Sequence, residues 1–244
     1  MSTNYGADEN WLNISKANSL NGLITSNLTY AIDFARPLSF TSSSNTVNDL
    51  AGSNVVATFV DRPIFNPEQP YEGLLFDGSN DYLSLANGGN TSTPIVLSTD
   101  CSVYIWAKFT SSGEIGMFCH WSGGPVNVGF GANSGKMHYK QYDGQWNYYT
   151  SNGASINTGK WVHLAWIRTS STRMLMYVNG SIDYSLNVVS PRYLGGGNMG
   201  SIGTWWSWGY FPGRIGMLQV YNGAAHSSTE VLSQFKAHRN RYGV

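Results

Sequence analysis

The stretch from Gly159 to Gly180 constrains the fold most. Trp161-Val162-His163-Leu164-Ala165-Trp166-Ile167-Arg168 and Arg173-Met174-Leu175-Met176-Tyr177-Val178 are two apolar, strand-like runs joined by a polar Thr-Ser-Ser-Thr turn. The second run ends in Asn179-Gly180, the strongest short hairpin signal because both residues tolerate positive φ. Antiparallel strands in succession follow, and such strands hide their apolar faces by stacking one sheet on another.

The rest of the chain repeats the pattern. Residues 28–36 alternate at period two and predict a first strand, and Val55 to Val60 predicts a second. The Ser-, Thr- and Asn-rich residues 39–54 read as a loop. Pro63, Pro67 and Pro70 argue against regular pairing between them. Leu74-Leu75-Phe76 and Asp81-Tyr82-Leu83-Ser84-Leu85 flank an Asp-Gly turn. Val103 to Phe109 is nearly all apolar, as in a central strand buried on both faces. Short runs at Ile115–Phe118, Val126–Phe130, Lys136–Tyr139 and Trp146–Tyr149 are separated by Gly-rich turns, the spacing of a meander. Gly213 to Tyr221 predicts the last strand. Ser227 to Glu230 fits a capping box, and Val231, Leu232 and Phe235 give the short helix that follows one apolar face.

The chain has 244 residues, no net charge and only 11% charged residues. Such a balance gives no electrostatic footprint for nucleic acid or an anionic membrane. Residues 1–25 lack a basic start and an apolar core, so no secretory signal is expected, and no run is long enough for a helix to span a bilayer. Residues 1–27 read as an extended arm anchored by Trp11, and 28–244 as one domain. Cys101 and Cys119 are expected as buried reduced thiols.

Several pieces together resemble the concanavalin A-like lectin/glucanase superfamily, and within it the laminin G-like modules. They are Phe76-Asp77-Gly78-Ser79-Asn80-Asp81-Tyr82-Leu83, Ser102-Val103-Tyr104-Ile105-Trp106-Ala107-Lys108 and Lys160-Trp161-Val162-His163-Leu164-Ala165. Met176-Tyr177-Val178-Asn179-Gly180, Phe211-Pro212-Gly213-Arg214-Ile215 and Val220-Tyr221-Asn222 complete the set, in family order across roughly residues 28–240. The resemblance implies an all-β fold, a two-sheet antiparallel jelly-roll sandwich, here with an N-terminal arm and a short C-terminal helix. A second resemblance concerns context. Leu28 to Asp81, and the ending Phe235-Lys236-Ala237-His238-Arg239-Asn240-Arg241-Tyr242-Gly243, are similar to laminin G-type proteins of tailed-phage virions.

Relatives that hydrolyse β-glucans carry Glu-x-Asp-x-x-Glu on one strand, where alternation sets nucleophile and acid on one face. None of the five glutamates here has an Asp two residues on, so no enzyme is expected. Gly195-Gly196-Gly197-Asn198-Met199-Gly200 matches a dinucleotide fingerprint only formally, because no helix pattern follows it. His163, alone on a strand, reads as a satisfied core residue. Asp77, Asn80 and Asp81 could offer oxygens to Ca²⁺, but the same residues make a good self-capped turn, which is the favoured reading. No other cofactor is expected.

Two aromatic clusters exceed the needs of a core. Tyr139, Tyr142, Trp146, Tyr148 and Tyr149 interleave with Asp143, Gln145 and Asn147. Trp205, Trp206, Trp208, Tyr210 and Phe211 crowd a Gly-rich segment. Sugar C–H faces stack on such rings, and half of the rings on alternating strands should instead point inward. Asp143, Trp146, Asn147, Tyr148, Trp205, Trp206, Trp208 and Tyr210 are therefore candidate glycan contacts, with core or subunit interface as the competing role. The leading expectation is a non-enzymatic structural protein of the virion surface. It would dock on other virion proteins and on its own copies through Trp11, Lys236, Arg239 and Arg241. A glycan-binding adhesion module is the alternative.

Overall fold

The computed structural model describes residues 24–36, 38–40, 43–53, 55–66, 68–69, 72–86, 95, 97–121, 127–142, 144–169, 172–188, 199–205 and 209–244. In chain order the strands begin with β1 (Leu28–Asp33), β2 (Thr46–Asn48), β3 (Val56–Val60), β4 (Ile64–Phe65), β5 (Leu74–Asp77) and β6 (Tyr82–Ala86). There follow β7 (Cys101–Phe109), β8 (Ile115–Trp121), β9 (Asn127–Asn133), β10 (Lys136–Tyr142) and β11 (Trp146–Thr150). The chain closes with β12 (Trp161–Thr169), β13 (Arg173–Val178), β14 (Ser181–Asn187), β15 (Met199–Ile202), β16 (Pro212–Asn222) and the helix α1 (Ser228–Tyr242).

These strands form two eight-stranded sheets. The first runs β14-β13-β12-β7-β16-β5-β4, and β1 adds beside β16. At 11 residues β16 is long enough to pair with β5 along its first part and with β1 along its last. The second sheet runs β11-β10-β9-β8-β15-β6-β3-β2. Every pairing is antiparallel, which matches the expected jelly-roll sandwich. The central strand β7 is buried along almost its whole length because the core covers one face and α1 the other.

Between the sheets lie Val103, Ile105, Leu164 and Trp166 of the first and Phe118, Phe130, Met137 and Tyr139 of the second, all essentially inaccessible. Cys101 and Cys119 are buried free thiols on opposite sheets, and burial pushes both up to about 12. Asn179 and Gly180 take φ of 50° and 78°, the paired left-handed turn that the β13–β14 hairpin requires.

The helix starts as its sequence says. Ser227 caps it, and Glu230 reaches back to the Ser227 amide. It is longer than expected, at 15 residues, and absorbs the basic ending into its last turns before Gly243 caps it at φ 70°. It docks on the outer face of the first sheet. Tyr242 and Phe235 stack on Trp106 at 4.2 and 5.9 Å, and Val231 joins Tyr104, Ala165 and Tyr177. Arg241 fastens its end to β1, donating to both carboxylate oxygens of Asp33 at 2.7 and 2.6 Å. Burial alone would raise Asp33, but Arg241 and Arg36 outweigh it and hold the carboxyl below its usual range. His163 lies under the helix as a core residue, between the Tyr104 and Trp106 rings at 5.5 and 5.1 Å.

Four elements depart from expectation. β2 forms inside the polar loop, and β4 forms between prolines, as a two-residue edge pairing on Leu74 and Leu75. Pro63 sits just before β4 and the next proline is beyond it, so neither removes a donor from the pairing. β14 and β15 carry too few apolar residues to announce themselves. Trp11 and most of the predicted arm fall outside the described residues, whereas Ile24, within the predicted arm, packs with Leu28 against the Tyr104 cluster.

Candidate functional site

The outer face of the second sheet holds the site. Alternation along β10 sends Met137 and Tyr139 into the core and His138, Lys140 and Tyr142 outward. On the edge strand β11, Tyr149 packs against the core, while Trp146 and Tyr148 stand on the other face, 41% and 52% exposed. Register sets Tyr142 opposite Trp146 and Lys140 opposite Tyr148. The Trp146 ring lies 5.1 Å from Tyr142 and 6.2 Å from Tyr148, and His138 lies 6.2 Å from Tyr148 on the other side. The predicted inward and outward split of the first aromatic cluster is thus what the strands produce.

Beside this row, Trp205 lies flat on a floor that only glycine permits. A Cβ on Gly129 would overlap the Trp205 ring at 1.4 Å, and one on Gly131 would come within 3.0 Å of it. Gly129 and Gly131 pair with Lys140 and His138, so the indole, the lysine and the histidine share one patch. Lys140 is the hub. Its Nζ lies 4.6 Å from the Trp205 ring centre, 5.3 Å from Tyr148 and 5.9 Å from Trp146, and it is ion-paired with Glu114. Burial pulls the Lys140 ammonium down to about 8 and His138 down to about 4. His138 Nδ1 and Thr150 Oγ1 are 2.7 Å apart.

The remaining predicted contacts scatter. Trp205 is only 4% exposed, so it supports the patch from within rather than offering a free face, a correction that the glycine floor explains. Asn147 alternates to the opposite side, in register with Gln141. Tyr210 is half-buried beside Tyr82, 6.3 Å away. Asp143, Trp206 and Trp208 fall outside the described residues. Sequence reasoning missed Lys140 and Glu114. Alternation could have placed Lys140 opposite Met137 and Tyr139, but nothing in the chain announces Glu114 as its partner.

The Asp77–Asp81 loop is a self-capped turn at one end of the sandwich. Asp77 Oδ1 accepts the Ser79 and Asn80 amides at 2.8 and 3.3 Å, and Asp81 Oδ2 accepts the Asp77 amide at 3.0 Å. Those amide bonds hold Asp77 below the usual carboxylate range, while burial raises Asp81. Asn80 donates to Asp61. One oxygen of each carboxylate, Asp77 Oδ1 and Asp81 Oδ2, serves the loop's own backbone, and no cluster of three or more His, Cys, Asp or Glu occurs among the described residues. No helix among them is long and apolar enough to cross a membrane. Of the expected docking cations, Arg241 is committed to Asp33 and Arg239 donates to the Val244 carbonyl at 2.8 Å, while Lys236 is exposed.

No curated protein matches the chain by sequence. Among solved structures, domain 4 of AbnA, an extracellular arabinanase from Geobacillus stearothermophilus seen with arabinotriose, superposes at a TM-score of 0.59 and 19% identity, covering 85% of this chain and 98% of that one. The receptor binding domain of botulinum neurotoxin D superposes at 0.64 and 12% identity, covering 88% of this chain and 53% of that one. The serotype D ligand binding domain in complex with N-acetylneuraminic acid gives 0.62 and 13%, covering 91% and 52%. The chain thus spans about half the length of the toxin domains, and these likenesses concern the fold. Residues 77–231 match the laminin G family model described as concanavalin A-like lectin/glucanases superfamily. More than half of the chain lies within that match, and the chain belongs to the concanavalin A-like lectin/glucanase superfamily.

Proposed function

We propose that the protein is a non-catalytic carbohydrate-binding module whose ligand lies on the outer face of the second sheet. The observation that carries this reading is the pair Trp146 and Tyr148, large rings exposed side by side on a braced patch. An exposed aromatic pair costs solvation unless something covers it, and sugar C–H faces fit such rings while their hydroxyls stay in water. Two of the similar structures were solved with a saccharide, arabinotriose in one and N-acetylneuraminic acid in the other, which supports the same class of ligand. Glu114, the carboxylate of the patch, faces Lys140 and not a second acid, so the paired carboxylates of glycoside hydrolysis are not assembled there.

A glycan array of neutral and acidic oligosaccharides, probed with the wild-type protein and Trp146→Ala, tests this. Binding that disappears in the variant supports it, and equal signals from both proteins refute it. A place on a virion surface is compatible, since a displayed lectin is also a structural component. Lys236, exposed on α1, is the residue through which docking to a neighbouring chain can be tested. If it docks, Lys236→Glu lowers occupancy on particles without changing the glycan signal; unchanged occupancy counts against it.

A further inference from the structure

A binding platform works best when its rings are fixed before the ligand arrives, because ordering them on contact costs affinity. Trp146 and Tyr148 stand on an edge strand, where neighbouring strands hold a side chain from one side only. Tyr142 flanks Trp146 and His138 flanks Tyr148, but the one group that reaches both exposed rings is an ammonium. Lys140 reaches the two exposed rings at 5.9 and 5.3 Å and the buried Trp205 at 4.6 Å, with a side chain only 2% exposed. Trp205 is fixed in turn by the floor of Gly129 and Gly131.

We infer that Lys140 is the positioning residue of the platform: its ammonium, paired with Glu114, holds Trp146 and Tyr148 against the fixed Trp205 in the arrangement that receives a sugar. The sugar-receiving part rests on the binding role proposed above; the holding of the rings is a property of the free protein. The attraction is that of a cation for ring faces, and it is stronger here than at an open surface because water is excluded from the ammonium. Lys140 is faced by Glu114 from the loop before β8, by Trp205 from the β15–β16 connection and by Trp146 and Tyr148 from β11. On its own strand the outward neighbours are His138 and Tyr142. Burial keeps His138 neutral, titrating at about 4. Burial pulls the ammonium down from the ordinary lysine value of about 10.5 to about 8, so the hold is expected to loosen as pH rises through that value.

The test follows the indole N–H resonances of Trp146 and Trp205, assigned through Trp→Phe variants, in the free wild-type protein, K140M and K140R. Spectra run from about pH 6.5 to about pH 9.5, spanning the lowered lysine and stopping short of an unperturbed one. In the wild type both resonances move together with a midpoint near 8. In K140M they are displaced and flat with pH; in K140R they return to the wild-type position and stay there, since arginine keeps its charge. For an oligosaccharide that scores on the array, K140M binds about ten-fold more weakly and K140R within about two-fold of wild type. K140M resonances that coincide with the wild type overturn the inference. If K140M does not fold, a wild-type midpoint that persists in K140R overturns it as well. Displaced resonances in K140M, together with a Trp146→Ala protein that binds glycan as the wild type does, leave the hold standing and remove the glycan reading alone.

Discussion

The outer faces of the two sheets are both rich in aromatic rings, yet one is sealed by the chain's own helix and the other is left open. On the first sheet, Trp106, Tyr104 and Tyr177 lie under α1, with Phe235 and Tyr242 laid on Trp106. On the second sheet, Trp205 fills a slot between glycines while Trp146 and Tyr148 remain in solvent beside Lys140. The same residue types therefore build a second core on one side and, in the function proposed above, a recognition surface on the other. What separates the two roles is a cover. A ring beneath a capped helix is part of a second core; a ring braced from the side by an ion pair is a surface held ready.

If the covered face is a core, truncating its central ring is costly. Trp106→Ala should lower unfolding free energy by about 4 kcal/mol in a denaturant titration, the range for removing a buried large ring. A loss below about 1 kcal/mol, the size expected at a surface position, would erase the distinction between the faces.

Acid should act on the covered face first. All five histidines are held below their ordinary value by burial, His163 down to about 3 and His120 and His138 down to about 4. His226 and His238 move in the same direction and join His163 on the helix side. The unfolded chain takes up protons near 6.5, before the folded protein does. The stability from neutral histidines is therefore complete above that pH and is lost as pH falls toward 4, at about 1.4 kcal/mol for each tenfold difference in proton affinity between the folded and unfolded chain. For His163 alone the part lost by about pH 4 is on the order of 3 kcal/mol, and the rest goes as pH falls through about 3. Hydrogen exchange should show α1 losing protection before β10 and β11, and the opposite order would contradict the contrast.

Asp33→Asn should cost about 2 kcal/mol by weakening the charged bonds to Arg241, with α1 amides exchanging faster in the variant. Trp146→Ala is the smallest effect. On the open face it should change unfolding free energy by no more than about 0.5 kcal/mol, in contrast to Trp106→Ala. A larger loss would mean that the exposed ring is part of the fold's support.

Much of this architecture is legible in the chain because the signals are local. The unbroken apolar run of β7, the Asn179-Gly180 turn and the Ser227–Glu230 cap each specify their element within a few residues. β14 is hidden because an edge strand with Asp183 and Ser185 needs its neighbour β13 to define it, and β2 is only three residues long. The site divides in the same way. Alternation over Trp146-Asn147-Tyr148-Tyr149 shows which rings face out. The burial of Trp205 depends on Gly129 and Gly131 from a distant strand, and the pairing of Lys140 with Glu114 joins a strand to another loop. Contacts of that kind exist only once the sheets are assembled.

The most direct test of the open-face claim is a residue-resolved NMR titration of the protein with an oligosaccharide that scores on the array. Binding at the braced platform predicts the largest shifts at Trp146, Tyr148 and the outward residues of β10, with α1 and the Asp77–Asp81 loop unmoved. Shifts centred on that loop or on the helix would contradict it.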